Sequence, residues 1–468
     1  MHGRPHQSAR SEASTPAVDA AKCGSVAVEP IGAAQPTVLY QEHLRLAGKA
    51  RMAPFAGYLM PLWYSSISAE HNAVRRAAGI FDCTHMGVMQ IEGPDAAGFL
   101  NLATTNDIGI LGVGQAQYSY TLDAAGNVLD DVIVYRRSEN EYMLVVNAAN
   151  TPKVKAYLRQ LAAGELIIDI DQPDKPMPYR PIIRDLTTQA APIDRGHQSK
   201  CLQNQLPPPT ANWCGPGCRV DIALQGPASN NILLSLVDGL TLKDQIPALK
   251  SFRFLEGQIQ GMNCLISRTG YTGSKVGFEL FIHPENAPRL WNLLLEAGSK
   301  LGLLPCGLGA RDSLRIEEGL PLYGHELAGR FNISPFEAGY GWAVKLQKDF
   351  FIGKAPIRKI AETHTMQVAR LELPGEKGIR PARQNDPVLD SRGKCIGWVL
   401  SCANTGDKQI ALAYLARESA FEQSPIGIYY LARSENQIAQ GRRQNAELGR
   451  TLEPDLTGII VSRFAKFA

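Results

Sequence analysis

From Gln117 the chain alternates polar and apolar residues (QYSYTL), breaks at Asp123-Ala124-Ala125-Gly126-Asn127, and resumes from Val128 to Arg136 as VLDDVIVYR. Two period-two runs flanking a polar turn that carries glycine predict a β-hairpin. A third strand, Glu141 to Asn147, follows the polar break Ser138-Glu139-Asn140, and a helix from about Pro152 to Ala162 closes the unit. Upstream, His71 to Ala78 (HNAVRRAA) ends at Gly79, the mark of a short helix with a glycine stop, and Phe81-Asp82 begins the next extended segment. Downstream the pattern predicts a strand at Val220 to Leu224, a helix around Asn230 to Leu236, one strand over Gly257 to Ser267 and a helix over Ala287 to Leu301. Strands that follow one another through short turns predict an α+β fold of antiparallel sheets with helices, not a doubly wound parallel sheet.

Three further segments complete the organisation. Residues 1–37 are rich in Ala, Ser, Pro and Gly without apolar periodicity, and read as a disordered tail. Residues 38–361 form the main region, interrupted at about 164–219 by a proline-rich stretch without a period, which reads as an insertion. From about residue 362 to 468, short strands such as Val368 to Leu373 and Ile396 to Leu400 are separated by Gly, Pro and Asn, and predict a C-terminal β-barrel domain.

Composition narrows the function. Lys and Arg total 48 against 45 Asp and Glu, so the net charge of +3 gives no polybasic footprint for nucleic acid. Apolar runs such as Ala411 to Ala416 are too short to span a bilayer, so no membrane role is expected. Nine cysteines, an odd and sparse set, suit a reducing compartment with free thiols. A secretory apolar segment is missing from the tail, and Glu12 and Asp19 disfavour a transit peptide, so a cytoplasmic location is expected ahead of the mitochondrial matrix.

Within the hairpin, side chains alternate faces, so Asp131, Ile133 and Tyr135 share one side while Asp130 and Val132 share the other. One carboxylate of the Asp130-Asp131 pair can therefore face a pocket, although both could simply begin a strand after a turn. Arg268 to Gly273 (RTGYTG) is either a tight turn or a ligand cradle from which Tyr271 and Glu279 reach a flat polar heterocycle. Arg311 and Arg315 fall on one helical face, suited to binding carbonyls or carboxylates, or to ion pairs with Asp312 or Glu318. His85 reads as a hydrogen-bonded structural histidine. His197, Cys201, Cys214 and Cys218 are only loosely zinc-like in spacing, and no metal site is expected. Walker, nucleophile-elbow and dinucleotide motifs are missing from the contexts they need.

Several segments together resemble one family, the aminomethyltransferase or T-protein of the glycine cleavage system. They are Phe55-Ala56-Gly57, Met60-Pro61, Glu70-His71, Arg75 through Asp82, His85-Met86-Gly87, Gly126 to Tyr135, Leu224 to Pro227, Arg268 to Gly273, Gly307 to Arg315 and Pro321 to Glu326. The resemblance implies the T-protein-like folate-binding fold followed by a β-barrel. It also implies transfer of an aminomethyl-derived carbon from the lipoyl arm of a carrier, the H-protein, to tetrahydrofolate as co-substrate, with release of ammonia. Carried over by motif, Asp131 is the catalytic carboxylate. Met86, Tyr118, Ile133, Tyr135, Val145 and Asn147 line the folate pocket, and Tyr271, Glu279 and Arg311 form its pterin-side polar group. Two other readings stay open at this point: a tetrahydrofolate-dependent demethylase of a small N-, O- or S-methyl compound, and a non-catalytic folate-binding regulatory protein.

Overall fold

The computed structural model describes residues 34–187 and 217–465. A five-stranded antiparallel sheet runs in the order Gln115–Leu122, Val128–Ser138, Glu141–Val146, Gly87–Glu92 and Ile182–Asp185. A six-stranded sheet runs Phe254–Ile259, Met262–Ser267, Gly277–Ile282, Val220–Gln225, Ala78–Asp82 and Leu303–Cys306, with only its last pair parallel.

Each sheet buries both faces. Val132, Val134, Leu144 and Val146 pack on Phe99 of helix Ala96–Ala103 and on Val154 and Leu158 of helix Thr151–Ala163. In the other sheet, Ile80, Ile222, Leu280 and Ile282 pack on Leu290, Trp291 and Leu294 of helix Ala287–Gly298. The remaining faces meet each other, where Tyr135, Met143 and Val145 pack against Phe254, Leu265 and Phe281. Alternation along each strand therefore sends one set of side chains to the outer helices and the other to the gap between sheets.

Six strands, Met366–Pro374, Lys408–Ala416, Cys395–Asn404, Pro387–Leu389, Pro425–Ile428 and Leu456–Val461, close into the C-terminal barrel. Val399, Ala411, Ala413 and Ile428 fill it. Its outer Leu400, Leu412 and Tyr414 share an apolar cluster with Leu122, Ile316 and Phe351 of the main region, which seats the barrel firmly. Within the main region, Lys348 Nζ donates to the carbonyls of Asn101, Thr104 and Asn106 at 2.5, 2.8 and 2.9 Å, satisfying the C-terminal end of helix Ala96–Ala103. No helix among the described residues is long and apolar enough to cross a membrane.

Four expectations need correction. Order begins inside the segment expected as a disordered tail: Gln35–Pro36 pairs with Tyr58 and Leu59, and the buried Thr37 hydroxyl donates to Asp82 Oδ2 at 2.9 Å. The helix expected at His71 starts at Ile67, capped by Ser66, and Ala78 already belongs to a strand. The single strand expected over Gly257 to Ser267 is part of a hairpin, because Gln260 and Gly261 both take positive φ and reverse the chain. The stretch at about 164–219, expected as an insertion without an apolar period, holds the strand Ile182–Asp185, which completes the edge of the five-stranded sheet.

Candidate active site

The two facing sheets enclose a cavity of about 530 Å³. Ile133 and Val145 line it from the five-stranded sheet, Asp221 and Glu279 from the six-stranded sheet, and Arg311 from helix Leu308–Glu318. Loop residues Leu320 to Tyr323 complete one wall.

Asp131 stands on the wall formed by the five-stranded sheet, between two donors. The Tyr118 hydroxyl donates to its Oδ2 at 3.0 Å, and Asn147 Nδ2 donates to its Oδ1 at 2.8 Å. Tyr118 occupies the neighbouring strand beside Asp131, in register with Ile133, so the contact is a cross-strand diagonal. Asp130 points to the opposite face and is fully buried, where it accepts from Asn147 N at 2.9 Å, Asn147 Nδ2 at 2.9 Å and Asn150 Nδ2 at 2.6 Å. Burial raises the pKa of Asp131 above the ordinary carboxylate range, opposed by the bonds from Tyr118 and Asn147, which favour the ionised form. Asp130 is raised too, by burial first and by the Asp131 charge second.

At the far wall, Glu279 Oε2 accepts from the Thr269 hydroxyl in a short bond and from the Tyr135 hydroxyl at 3.5 Å. Arg311 lies 5.1 Å above the Tyr271 ring and places Nη1 3.2 Å from Cys83 Sγ. The Tyr271 hydroxyl donates to Pro321 O at 2.6 Å, which ties the RTGYTG turn to the loop beyond the Arg311 helix. An aromatic arc flanks Asp131: Tyr118 has its ring centroid 5.7 Å from that of Tyr340 and 5.9 Å from that of Trp342, and Trp342 remains 53% exposed at the mouth.

Met86, Tyr118, Asp131, Ile133, Val145, Asn147, Tyr271, Glu279 and Arg311 thus all line one cavity. Tyr135 differs. Its side chain is fully buried in the packing between sheets and stands behind Glu279, off the cavity wall. Arg315, although on the same helical face as Arg311, turns away to pair with Asp312 at 2.8 Å and Glu326 at 2.5 Å.

Sequence reasoning missed several wall residues. Asp221 and Gln225 sit two turns of alternation apart in an otherwise apolar strand, a polar interruption that could have signalled them. His85 was expected to be a bonded structural histidine, yet it lines the cavity, and no partner among the described residues reaches its Nδ1. Its ring is held edge-on by Phe55 and Tyr58, with centroids 5.8 and 6.1 Å away, and burial lowers its pKa to about 4. Among the described residues no group of His, Cys, Asp and Glu could hold a metal, while His197, Cys201 and Cys214 lie outside them. Cys83, Cys264, Cys306, Cys395 and Cys402 are free thiols.

Comparison with known proteins places this cavity in context. The family model of the GCVT N-terminal domain matches residues 39–177 and 197–348. The aminomethyltransferase of Exiguobacterium sibiricum is 39% identical over 382 residues, covering 81% of this chain and 89% of that protein. That of Symbiobacterium thermophilum is 39% identical over 385 residues, covering 81% and 88%. The crystal structure of glycine cleavage system aminomethyltransferase T from Bartonella henselae superposes with a TM-score of 0.67 at 27% identity, over 92% of this chain and 97% of that one. On the family model and on the identity and coverage of these relatives, the chain belongs to the aminomethyltransferase family of the glycine cleavage system.

Proposed function

We propose that this aminomethyltransferase takes its one-carbon unit from an aminomethylated lipoyl arm on the H-protein and delivers it to tetrahydrofolate, releasing ammonia. The observation that carries the reading is Asp131: a half-buried carboxylate on the cavity wall, fixed by Tyr118 and Asn147. The cavity suits a flat heterocycle with an aryl tail. Glu279 and Arg311 offer an acceptor and a donor at one wall, aliphatic side chains sandwich the middle, and Tyr118, Tyr340 and Trp342 form an aromatic flank.

In chemical terms, the bond from the transferred carbon to the amino nitrogen breaks and that nitrogen leaves as ammonia, while the bond from the carbon to the lipoyl sulfur breaks and the sulfur returns as a thiol. The carbon forms two bonds to folate nitrogens, whose two displaced hydrogens end on the ammonia and the thiol. Positive charge builds on the carbon as ammonia departs. Asp131 is placed to stabilise that charge and to accept a hydrogen bond or a proton from the attacking nitrogen. Low polarity around it strengthens both effects. Glu279 and Arg311 hold the ring in orientation, so that the nucleophile meets the carbon without a further search.

The test is tetrahydrofolate-dependent ammonia release from an aminomethylated lipoyl carrier. The parent protein should release ammonia, and Asp131→Asn should lose about a hundredfold or more, the weight of general acid-base catalysis. A parent that binds tetrahydrofolate but releases no ammonia would refute the proposal.

A further inference from the structure

Asp221 interrupts the apolar strand Val220–Gln225 and is only 3% exposed. In the antiparallel pairing with Gly277–Ile282, Asp221 lies opposite Phe281 and Ala223 lies opposite Glu279. Opposed residues share a face, as do residues two apart on a strand, so Asp221 and Glu279 are diagonal neighbours on the cavity side.

These two carboxyls differ in what they hold. Glu279 Oε2 is occupied by Thr269 and Tyr135. Asp221 Oδ1 is buried, and no donor among the described residues reaches it. Arg311, the nearby cation, is engaged with Cys83 Sγ and the face of Tyr271. A buried oxygen without a donor is a standing cost to the fold, and Asp221 lines the binding cavity, where a ligand donor that reaches its carboxyl removes that cost. Burial, then the charge of Glu279, pushes the Asp221 carboxyl well above its usual range.

We propose that Asp221 is a specificity-determining residue: its unpartnered oxygen accepts a hydrogen from the exocyclic amino group on the 2-amino-4-oxopyrimidine edge of the ligand, beside Glu279 and Arg311. The inference rests on the tetrahydrofolate reading above. The chemistry of that edge matches the wall. An amino group, a ring N–H and a carbonyl stand in a row, and the wall offers two carboxyl groups to accept and a guanidinium to donate. A heterocycle that lacks the amino group leaves Asp221 as unsatisfied as it is without ligand, so discrimination comes from the unmade bond.

Calorimetric dissociation constants for tetrahydrofolate and its 2-desamino-2-methyl analogue provide the test, in the parent protein, Asp221→Val and Asp221→Asn. The parent should prefer tetrahydrofolate by about tenfold or more, the usual scale for losing a buried polar partner. Asp221→Val should lose most of that preference by weakening tetrahydrofolate alone, and Asp221→Asn, whose amide oxygen still accepts, should restore it. Equal weakening of both ligands, or an undiminished preference in the valine variant, overturns the inference. If Asp221→Val does not fold, Asp221→Ala, which cannot clash, is read by the same two outcomes. A parent that binds neither ligand overturns the tetrahydrofolate reading itself, a result separate from any effect of the variants.

Discussion

The side-chain amide of Asn147 donates to Asp131 Oδ1 at 2.8 Å while the same nitrogen donates to Asp130 Oδ1 at 2.9 Å. One amide thus joins a carboxylate on the cavity wall to a carboxylate in the core behind it. Both of its hydrogens are committed, so the orientation of Asp131 is set from the protein interior. Tyr118 supplies the remaining restraint from the cavity side.

The rate of the enzyme should therefore report on Asp131 through its pH profile. Burial is the largest influence and raises its pKa, and the Tyr118 bond lowers it. Activity should be full above the Asp131 pKa and fall as pH drops through it, with that acid limb lying above the ordinary aspartate value. Tyr118→Phe removes a bond that favours the carboxylate, so the limb should move to higher pH and the rate at neutral pH should fall roughly tenfold. A pH-rate series on both proteins checks this, and a limb unmoved in Tyr118→Phe would separate Tyr118 from Asp131.

His85 should leave a mark on stability. Its ordinary pKa of 6.5 drops to about 4 in the fold, chiefly through burial. The native state keeps the ring neutral, while the unfolded chain takes up a proton below about pH 6.5. Its contribution is therefore fully present above that pH and lost as pH falls toward 4, by on the order of 3 kcal/mol. Denaturant unfolding at a series of pH values should show a shallower decline in His85→Gln than in the parent, and matching declines would contradict it.

Glu326 is fully buried and accepts from Arg315 Nη1 at 2.5 Å, Leu322 N at 3.1 Å and the barrel residue Ser401. Glu326→Ala removes the buried partner of Arg315 and leaves it only the exposed Asp312, and should cost up to roughly 3–5 kcal/mol. A lowered melting temperature together with weaker ligand binding is expected, since Leu322 lines the cavity. A variant that melts like the parent would show that this network contributes little.

Lys348→Met should cost about 2–4 kcal/mol, because three carbonyls lose their donor at once. Lys348→Arg, with a longer and planar head, should recover only part of this. Equilibrium unfolding of the two variants decides it.

Much of the site was legible where one strand or one helix carries it. Strand alternation alone put Asp131 and Asp130 on opposite faces, and helical spacing brought Arg311 and Arg315 together, though only Arg311 reaches the cavity. Less visible were contributions that depend on how remote segments pair. Asp221 becomes a neighbour of Glu279 only through a sheet that sets residue 221 beside residue 281. Tyr340 and Trp342 come from an irregular segment without a period to read. The turn at Gln260-Gly261 was hidden because apolar residues continue on both sides of it, and Tyr135 was on the right face but one layer too deep.

The bond from Ser401 to Glu326 has a bearing on how the two parts of the chain can be inherited or engineered. Ser401 lies in the barrel strand Cys395–Asn404, whereas Glu326 holds the backbone of Leu322, in the loop that lines the cavity. The barrel is therefore no detachable module. A truncation before Met366, or a graft of a barrel from a relative without a hydroxyl at this position, would unfasten a wall of the reaction chamber, so recombination between such proteins should succeed only where both pieces travel together.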